Sequence, residues 1–143
     1  MFDEESDEQD QEKIAKLAEQ LSADLQSAVF AVLNHDSDIL WYQLYQNGKL
    51  SDEYDSTPGY WSSAEVLAPT GGNAKQICAT FNYADAAQID HVLREEYVFA
   101  EDRHADLIRL LNLPSCALGY GFGAIANGHL PEGLSADDLA TSA

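Results

Sequence analysis

The 143-residue chain has few basic residues: seven Lys and Arg stand against 25 Asp and Glu, which gives a formal net charge of −18. Recognition of phosphate groups depends on clustered Lys and Arg that displace counterions, so nucleic acid is not an expected partner. Anionic membrane surfaces are disfavoured for the same reason. The acidic excess has solubility as its simplest role, with a positively charged partner or DNA mimicry as sharper alternatives.

Cysteine is also scarce, with only Cys78 and Cys116 in the chain. A chain of this length can bury roughly 68% of the surface that its unfolded form exposes, so it can fold without disulfide bonds or structural metals. No apolar run approaches the roughly 18 residues of a membrane span, and the first residues lack the apolar segment of a secretory signal. These absences predict a soluble protein in the reducing cytoplasm.

Hydrophobic periodicity predicts one domain between two polar ends. Residues 1–10 are so acidic that we expect a disordered tail. Apolar residues then recur at helical spacing, which predicts a helix over about 11–26. The single domain is expected to span 11–130, and 131–143 to form a loosely ordered C-terminal tail.

After this helix the period changes to two, which predicts a β-meander over about 28–55. An apolar run over 28–33 forms the first strand, and a polar turn separates it from a second strand over 39–46. Asn47-Gly48 predicts a two-residue type I′ turn, because both central positions of that turn need positive φ. The third strand then covers 49–55.

The length of this turn also predicts which side chains share a face of the sheet. Two-residue closure pairs Tyr45 with Leu50, Gln43 with Asp52 and Trp41 with Tyr54. One face of the hairpin is therefore expected to carry Trp41, Tyr45, Leu50 and Tyr54, and the other to carry Leu40, Tyr42 and Leu44.

The second half alternates turn residues with short periodic segments. Asn73 and Asn82 each precede an apolar-periodic stretch and are expected to cap a helix. A further helix begins at Glu101 and Asp102 and is stopped by Pro114. The remaining predicted elements are a long loop over 56–73 and short strands over 97–100 and 116–126. This order of elements predicts an α+β fold, in which helices pack on an antiparallel sheet.

No pattern in the chain indicates catalysis. The cysteines and serines lie outside the motifs that mark activated nucleophiles. Gly119, Gly121 and Gly123 alternate with large side chains and do not open a helix as a phosphate-binding loop does. We therefore predict no catalytic residue and no cofactor, and we favour a non-enzyme.

Three groupings have the residue types of a metal site without its full pattern. The turn His35-Asp36-Ser37-Asp38 lacks the later oxygen ligands of a calcium loop. Glu101 with His104, and His91 with Glu95, have helical spacing but fall on faces expected to be solvated. No metal site is predicted.

The segment 41–61 carries the best functional indication, because it holds six of the fourteen aromatic residues. Tyr60 and Trp61 follow Pro58-Gly59 in a loop, where an exposed aromatic side chain is typical of a contact residue. Aromatic anchors inside an acidic rim suit a basic protein or peptide partner. The predicted partner-binding residues are Tyr60, Trp61, Trp41, Tyr54, Asp52 and Asp55.

The sequence thus favours a non-catalytic interaction or regulatory module. The alternative is a small-molecule-binding protein or hydrolytic enzyme, with a pocket between loop 56–73 and the glycine-rich strand 116–126. A pocket with converging polar groups would favour the alternative, and an aromatic patch would favour the interaction module.

Two further stretches of the sequence bear on the family of the chain. The first runs from Asp36-Ser37-Asp38-Ile39-Leu40-Trp41-Tyr42 through Gly48, Asp52, Ser56 and Pro58-Gly59-Tyr60, and the second from Phe99-Ala100-Glu101-Asp102-Arg103-His104 through Leu110-Leu111-Asn112-Leu113-Pro114. Together they resemble a group of small bacterial proteins of unknown function. The resemblance covers about residues 28–128 and implies a single domain, but it implies no activity, ligand or site residue.

Overall fold

A computed structural model describes residues 4–60, 68–83, 85–115, 118–131, 134, 135 and 137. In this part of the chain a four-stranded antiparallel sheet, with strand order β1-β2-β3-β4, is covered by helices, which confirms the predicted α+β class. The elements are a 3-10 helix (Glu4–Glu8), α1 (Gln11–Asp24), β1 (Ala28–His35), β2 (Ile39–Gln46), β3 (Lys49–Asp55), β4 (Thr70–Gly71), α2 (Ala74–Phe81), α3 (Ala86–Arg94), α4 (Ala100–Leu110) and α5 (Phe122–Ala126).

The two faces of the sheet bury separate apolar clusters. Leu40, Tyr42 and Tyr54 pack with α2, α3 and α4 on one face. On the other face, Trp41 and Tyr45 lie in clusters that include residues of α1. Strand β2 contributes to both faces, because side chains alternate along a strand and β2 is paired on both edges.

The turn between β2 and β3 has the predicted type. Asn47 and Gly48 both have positive φ, at 50° and 73°. The end of α1 packs on this turn: Ser22 Oγ accepts a hydrogen bond from the Gly48 N–H at 2.9 Å. A Cβ atom at Gly48 would lie 3.0 Å from the Cβ of Ala23, so this position favours glycine for space as well as for φ.

One residue past this turn, the register departs from the prediction. Tyr45 pairs with Leu50 as expected, but Leu44 pairs with Asp52. Ser51 is therefore an extra residue in β3, and its hydroxyl donates to the Leu44 carbonyl at 2.9 Å. This is a β-bulge, which places two residues of one strand opposite one residue of its partner.

The bulge corrects the predicted face of Tyr54. Tyr54 pairs with Tyr42, and Trp41 pairs with Asp55. The rings of Tyr42 and Tyr54 are stacked with centroids 5.3 Å apart. The predicted pairing of Trp41 with Tyr54 was wrong because a one-residue shift moves every later side chain to the other face. The predicted pair Gln43 and Asp52 fails for the same reason.

The first cap predicted in the second half is present, and the second is displaced. Asn73 caps α2 and accepts from the Gln76 N–H at 3.2 Å. Asn82 ends α2 in the left-handed conformation and does not open α3. Asp85 is the N-cap of α3, with its carboxylate accepting from two backbone N–H groups. The mistake arose because Asn is favoured both at helix starts and in left-handed helix ends.

The two short strands predicted near the C-terminal end are not observed. The segment before Ala100 is an extended connection, and the Ala100 N–H donates to the Ser37 carbonyl at 2.7 Å. Within 118–126 the chain makes a turn and then α5, while 116 and 117 lie outside the described residues. Gly119 has φ +71°, a conformation that strand residues do not adopt.

The acidic N-terminal segment contacts the domain. The carboxylate of Asp7 accepts hydrogen bonds from the backbone N–H groups of Phe122 and Gly123, at 2.8 and 2.7 Å. The disorder predicted for residues 1–10, and the loose order predicted for 131–143, stay predictions about behaviour in solution. No described helix is both long enough and apolar enough to cross a membrane.

Candidate functional site

Three of the four aromatic residues that the sequence grouped as partner-binding lie in the described part of the chain, and the structure separates them. Tyr60 has 40% of its surface exposed. Trp41 and Tyr54 are buried on opposite faces of the sheet, so neither side chain lies at the surface. Trp61 lies outside the described residues. Of the aromatic set, Tyr60 is the described side chain that a partner could reach.

The two predicted acidic residues of β3 hold the fold together through their carboxylates. Asp52 accepts the hydroxyl of Tyr42 at 2.8 Å and the backbone N–H of Asn73 at 2.9 Å. Asp55 accepts the Thr57 N–H at 2.8 Å. Burial and, after it, the Asp52 carboxylate raise the pKa of Tyr42, so this hydroxyl remains a donor. The partner-binding role of both carboxylates stays a prediction.

At one end of the sheet, hydrogen bonds join the β1–β2 turn to the start of α4, and both segments carry exposed side chains. We call this the turn surface, and it consists of Asp36, Asp38, Tyr60, Val98, Phe99 and Glu101. Val98 is 85% exposed and Phe99 50% exposed. Two adjacent apolar residues at this exposure contribute a surface patch that the fold itself does not bury.

Hydrogen bonds from Ser37 hold the turn surface together. Its carbonyl accepts the Ala100 N–H at 2.7 Å, and its hydroxyl donates to Glu101 Oε2 at 2.8 Å. On the other side of the turn, the Tyr60 hydroxyl lies 3.4 Å from Asp38 Oδ2. Desolvation and then Asp38 raise the pKa of Tyr60, so its hydroxyl stays protonated beside that carboxylate.

The backbone of the turn adopts a conformation that its residues disfavour. Asp36 and Ser37 have φ of 47° and 62°, in the left-handed region. The Asp38 N–H closes the turn on the His35 carbonyl at 2.9 Å. Non-glycine residues held in this region are found disproportionately at binding sites, where surrounding contacts fix them.

Sequence reasoning missed Val98 and Phe99 because it assigned 97–100 to a strand. Phe99 is the N-cap residue of α4 and makes no side-chain capping hydrogen bond. The available signal was an apolar pair directly before the acids that open a helix, at a position where Ser, Thr, Asp or Asn is usual. Helix capping therefore does not explain the phenylalanine at this position.

A cavity of about 710 Å³ lies away from the turn surface. Glycine-rich residues 119–121 line it, as the alternative prediction required, but no described residue of loop 56–73 does. The loop's Thr70 and Gly71 line a separate pocket of about 290 Å³ beside Trp41 and Asp55. The predicted pocket between these two segments is therefore not formed by the described residues.

The described Cys78, His91 and His104 lie on three different helices. Burial and, after it, Asp85 raise the pKa of Cys78, which disfavours the nucleophilic thiolate. On α3, the exposed His91 Nε2 lies 2.9 Å from Glu95 Oε2, whereas His104 is buried on α4. Within the described ranges, no three His, Cys, Asp or Glu side chains are grouped as a metal site would require.

Comparison with protein-family models gives no match, and comparisons with curated proteins and with solved structures give none either. The resemblance to a group of small bacterial proteins stays a prediction. The function is therefore argued from the geometry of this chain.

Proposed function

We propose that this protein is a non-catalytic acidic interaction module whose turn surface binds a basic segment of a partner protein. The observation that carries the proposal is the exposure of Val98 and Phe99 directly before α4. The start of α4 is hydrogen-bonded to Ser37, in the turn that also carries the exposed Asp36 and Asp38. A central apolar contact inside a charged rim is the arrangement of binding hot spots. No catalytic role is included in the proposal.

The charge of the whole chain supports a basic partner. A net charge of −18 attracts cationic segments over long range and raises their association rate. The acids of the turn surface then contribute at short range, while Phe99 and Val98 supply contacts that salt does not screen. The partner segment would carry Lys or Arg next to an apolar side chain. Free Cys78 is consistent with a reducing compartment, and we place the protein in the cytoplasm.

The test is affinity capture from native lysate by the full chain, with captured proteins identified by mass spectrometry. The double variant Val98→Ser/Phe99→Ser removes the apolar contacts of the turn surface. The matched control is Leu25→Ser/Leu50→Ser, which removes two exposed leucines located elsewhere. Both variants are expected to keep the urea midpoint of the natural chain, because these side chains are exposed.

We expect the natural chain and the control variant to capture a basic protein. The turn-surface variant should fail to capture it. Its capture should weaken as salt rises from low to physiological concentration. If the turn-surface variant captures the same proteins as the control, the proposal is wrong.

A further inference from the structure

The cavity of about 710 Å³ runs along the edge of β1. Six consecutive residues of this strand, 29–34, line it. Because successive side chains point to opposite faces of a sheet, a cavity on one face would be lined by alternate residues only. The cavity is also lined by Ile14 and Leu17 of α1 and by Ile108 of α4. These two helices cover opposite faces of the sheet. We call this space the edge cleft.

Among the described strands, β1 pairs with β2 alone, so β1 forms an edge of the sheet. At such an edge every second residue directs its N–H and C=O away from the sheet. No described residue makes a hydrogen bond to the outward groups of 29–34. Two side chains lining the cleft are also unsatisfied: Asn34 Oδ1 and His104 Nε2 are buried and unpaired in the part that the structure describes. His104 is 4% exposed.

We propose that the edge cleft binds an extended peptide segment of a partner protein, which adds to β1 as a further strand. A small ligand offers one or two hydrogen-bonding groups, whereas a peptide backbone repeats a donor and an acceptor along the whole edge. The site is separate from the turn surface and uses a different mode of recognition, so neither proposal depends on the other.

The side chains that line the edge cleft indicate which peptide sequence would fit. Side chains of an added strand would point alternately towards α1, at Leu17 and Leu21, and towards α4, at Ile108. Both walls are apolar, so successive central residues of the peptide should be apolar and β-branched. A hydroxyl or amide side chain on the α4 side would suit Asn34 and His104. The acids of the N-terminal segment favour Lys or Arg at the flanks of the peptide.

Asp7 partly closes the cleft. Ser6, Asp7 and Gln9 line it, and the Asp7 carboxylate is hydrogen-bonded to the N–H groups of Phe122 and Gly123, next to the glycine-rich wall. A peptide that enters must compete with this contact. The same contact shields the edge strand, which would otherwise be open to unspecific pairing. A second copy is a poor occupant, because pairing β1 with β1 would bring together two chains of charge −18.

The test uses the full chain and the peptide acetyl-Lys-Lys-Val-Ile-Val-Thr-Val-Lys-Lys-amide, with binding measured by calorimetry. Two further peptides of the same charge carry N-methyl groups on alternate residues. In one peptide the methyl groups block the N–H groups along one edge of the strand, and in the other they block those along the opposite edge. We expect saturable binding of the parent peptide and of one methylated peptide. The other should lose affinity about tenfold or more, because its donors towards β1 are blocked. The proposal would be overturned if the two methylated peptides bound equally well, or if the parent peptide showed no saturable binding.

Substitutions in the edge cleft test whether the peptide binds there. Leu17→Trp should fill the cleft and abolish binding, whereas Leu25→Trp adds the same bulk on an exposed part of the chain. Asp7→Ala should raise the affinity relative to Glu5→Ala, which removes the same charge without opening the cleft. The variant Val98→Ser/Phe99→Ser should bind the peptide normally, which separates this result from the turn-surface proposal.

Two further outcomes would contradict the proposal that the edge cleft binds a peptide. A stable dimer of the free chain that Leu17→Trp abolishes would show that a second copy occupies the edge. Stoichiometric binding of the uncharged dye N-phenyl-1-naphthylamine, without binding of the parent peptide, would show that the cleft is a small-molecule site.

Discussion

Arg103 of α4 donates a hydrogen bond from its guanidinium to the hydroxyl of Tyr54 in β3. That hydroxyl donates in turn to the Leu93 carbonyl of α3 at 2.8 Å, and Arg103 also donates to the Glu95 carbonyl at 2.6 Å. The Tyr97 ring lies 5.0 Å from the guanidinium carbon. Arg103, only 6% exposed, is thus a buried cation held by neutral oxygens and aromatic rings, and it joins β3 to α3 and α4.

Tyr54→Phe should destabilise the protein by about 1–3 kcal/mol, because Arg103 and the Leu93 carbonyl would each lose a buried partner. Urea denaturation measures the change. The control is Tyr83→Phe, which removes an exposed hydroxyl bonded to Gln88 and should be almost neutral. Equal effects of the two substitutions would show that the Arg103 contact does not stabilise the fold.

Deleting Ser51 should destabilise the protein by about 3–5 kcal/mol, because pairing without the bulge would turn Tyr54 out of its core. The control, Ser51→Ala, keeps the bulge and removes only the hydrogen bond to Leu44, with an expected loss of about 1 kcal/mol. Urea midpoints of the two variants give the comparison. A deletion variant as stable as Ser51→Ala would mean that the bulge is not needed to place Tyr54.

Acid should weaken the fold partly through His104. Burial lowers its pKa from 6.5 to about 4, so the folded state keeps this imidazole neutral where the unfolded state protonates it. The unfolded state then binds more protons, and the free energy of unfolding falls as the pH decreases from about 6.5 to about 4. The contribution is on the order of 3 kcal/mol over that window.

The His104 contribution is isolated by comparing His104→Leu with His91→Leu, which removes an exposed histidine on α3. Both variants retain all the carboxylates, so the titration of these groups contributes equally to the pH dependence of the two variants. Urea midpoints at pH 7 and pH 5 should differ less for His104→Leu than for His91→Leu. Identical pH dependence of the two variants would show that His104 titrates normally in the folded protein.

The meander was predictable because its signals are local. The period of two, the type I′ turn at Asn47-Gly48 and the apolar face of α1 each depend on residues close in the chain. The bulge at Ser51 was not predictable in this way. It is selected by packing of Tyr54 under α3 and α4, which are distant in sequence, and no residue of β3 marks it.

The candidate site was predictable only in part, for a related reason. Tyr60 is identifiable from its loop, but the density of aromatic residues over 41–61 does not distinguish it from Trp41 and Tyr54, which the fold buries. Phe99 was missed because exposure depends on where α4 begins relative to the β1–β2 turn. The glycine-rich segment near Gly121 was assigned a strand on its period, although glycine supplies no side chain to fix one.

Strand β2 gives the domain its cooperativity. Its residues reach the cluster under α2, α3 and α4 on one face and the clusters under α1 on the other. Opening of either half of the core exposes apolar side chains of β2 to water, so partial unfolding that preserves one helical layer is disfavoured. The amide protons of Ile39–Gln46 should therefore exchange with solvent only through global unfolding, and they would report the stability of the whole domain.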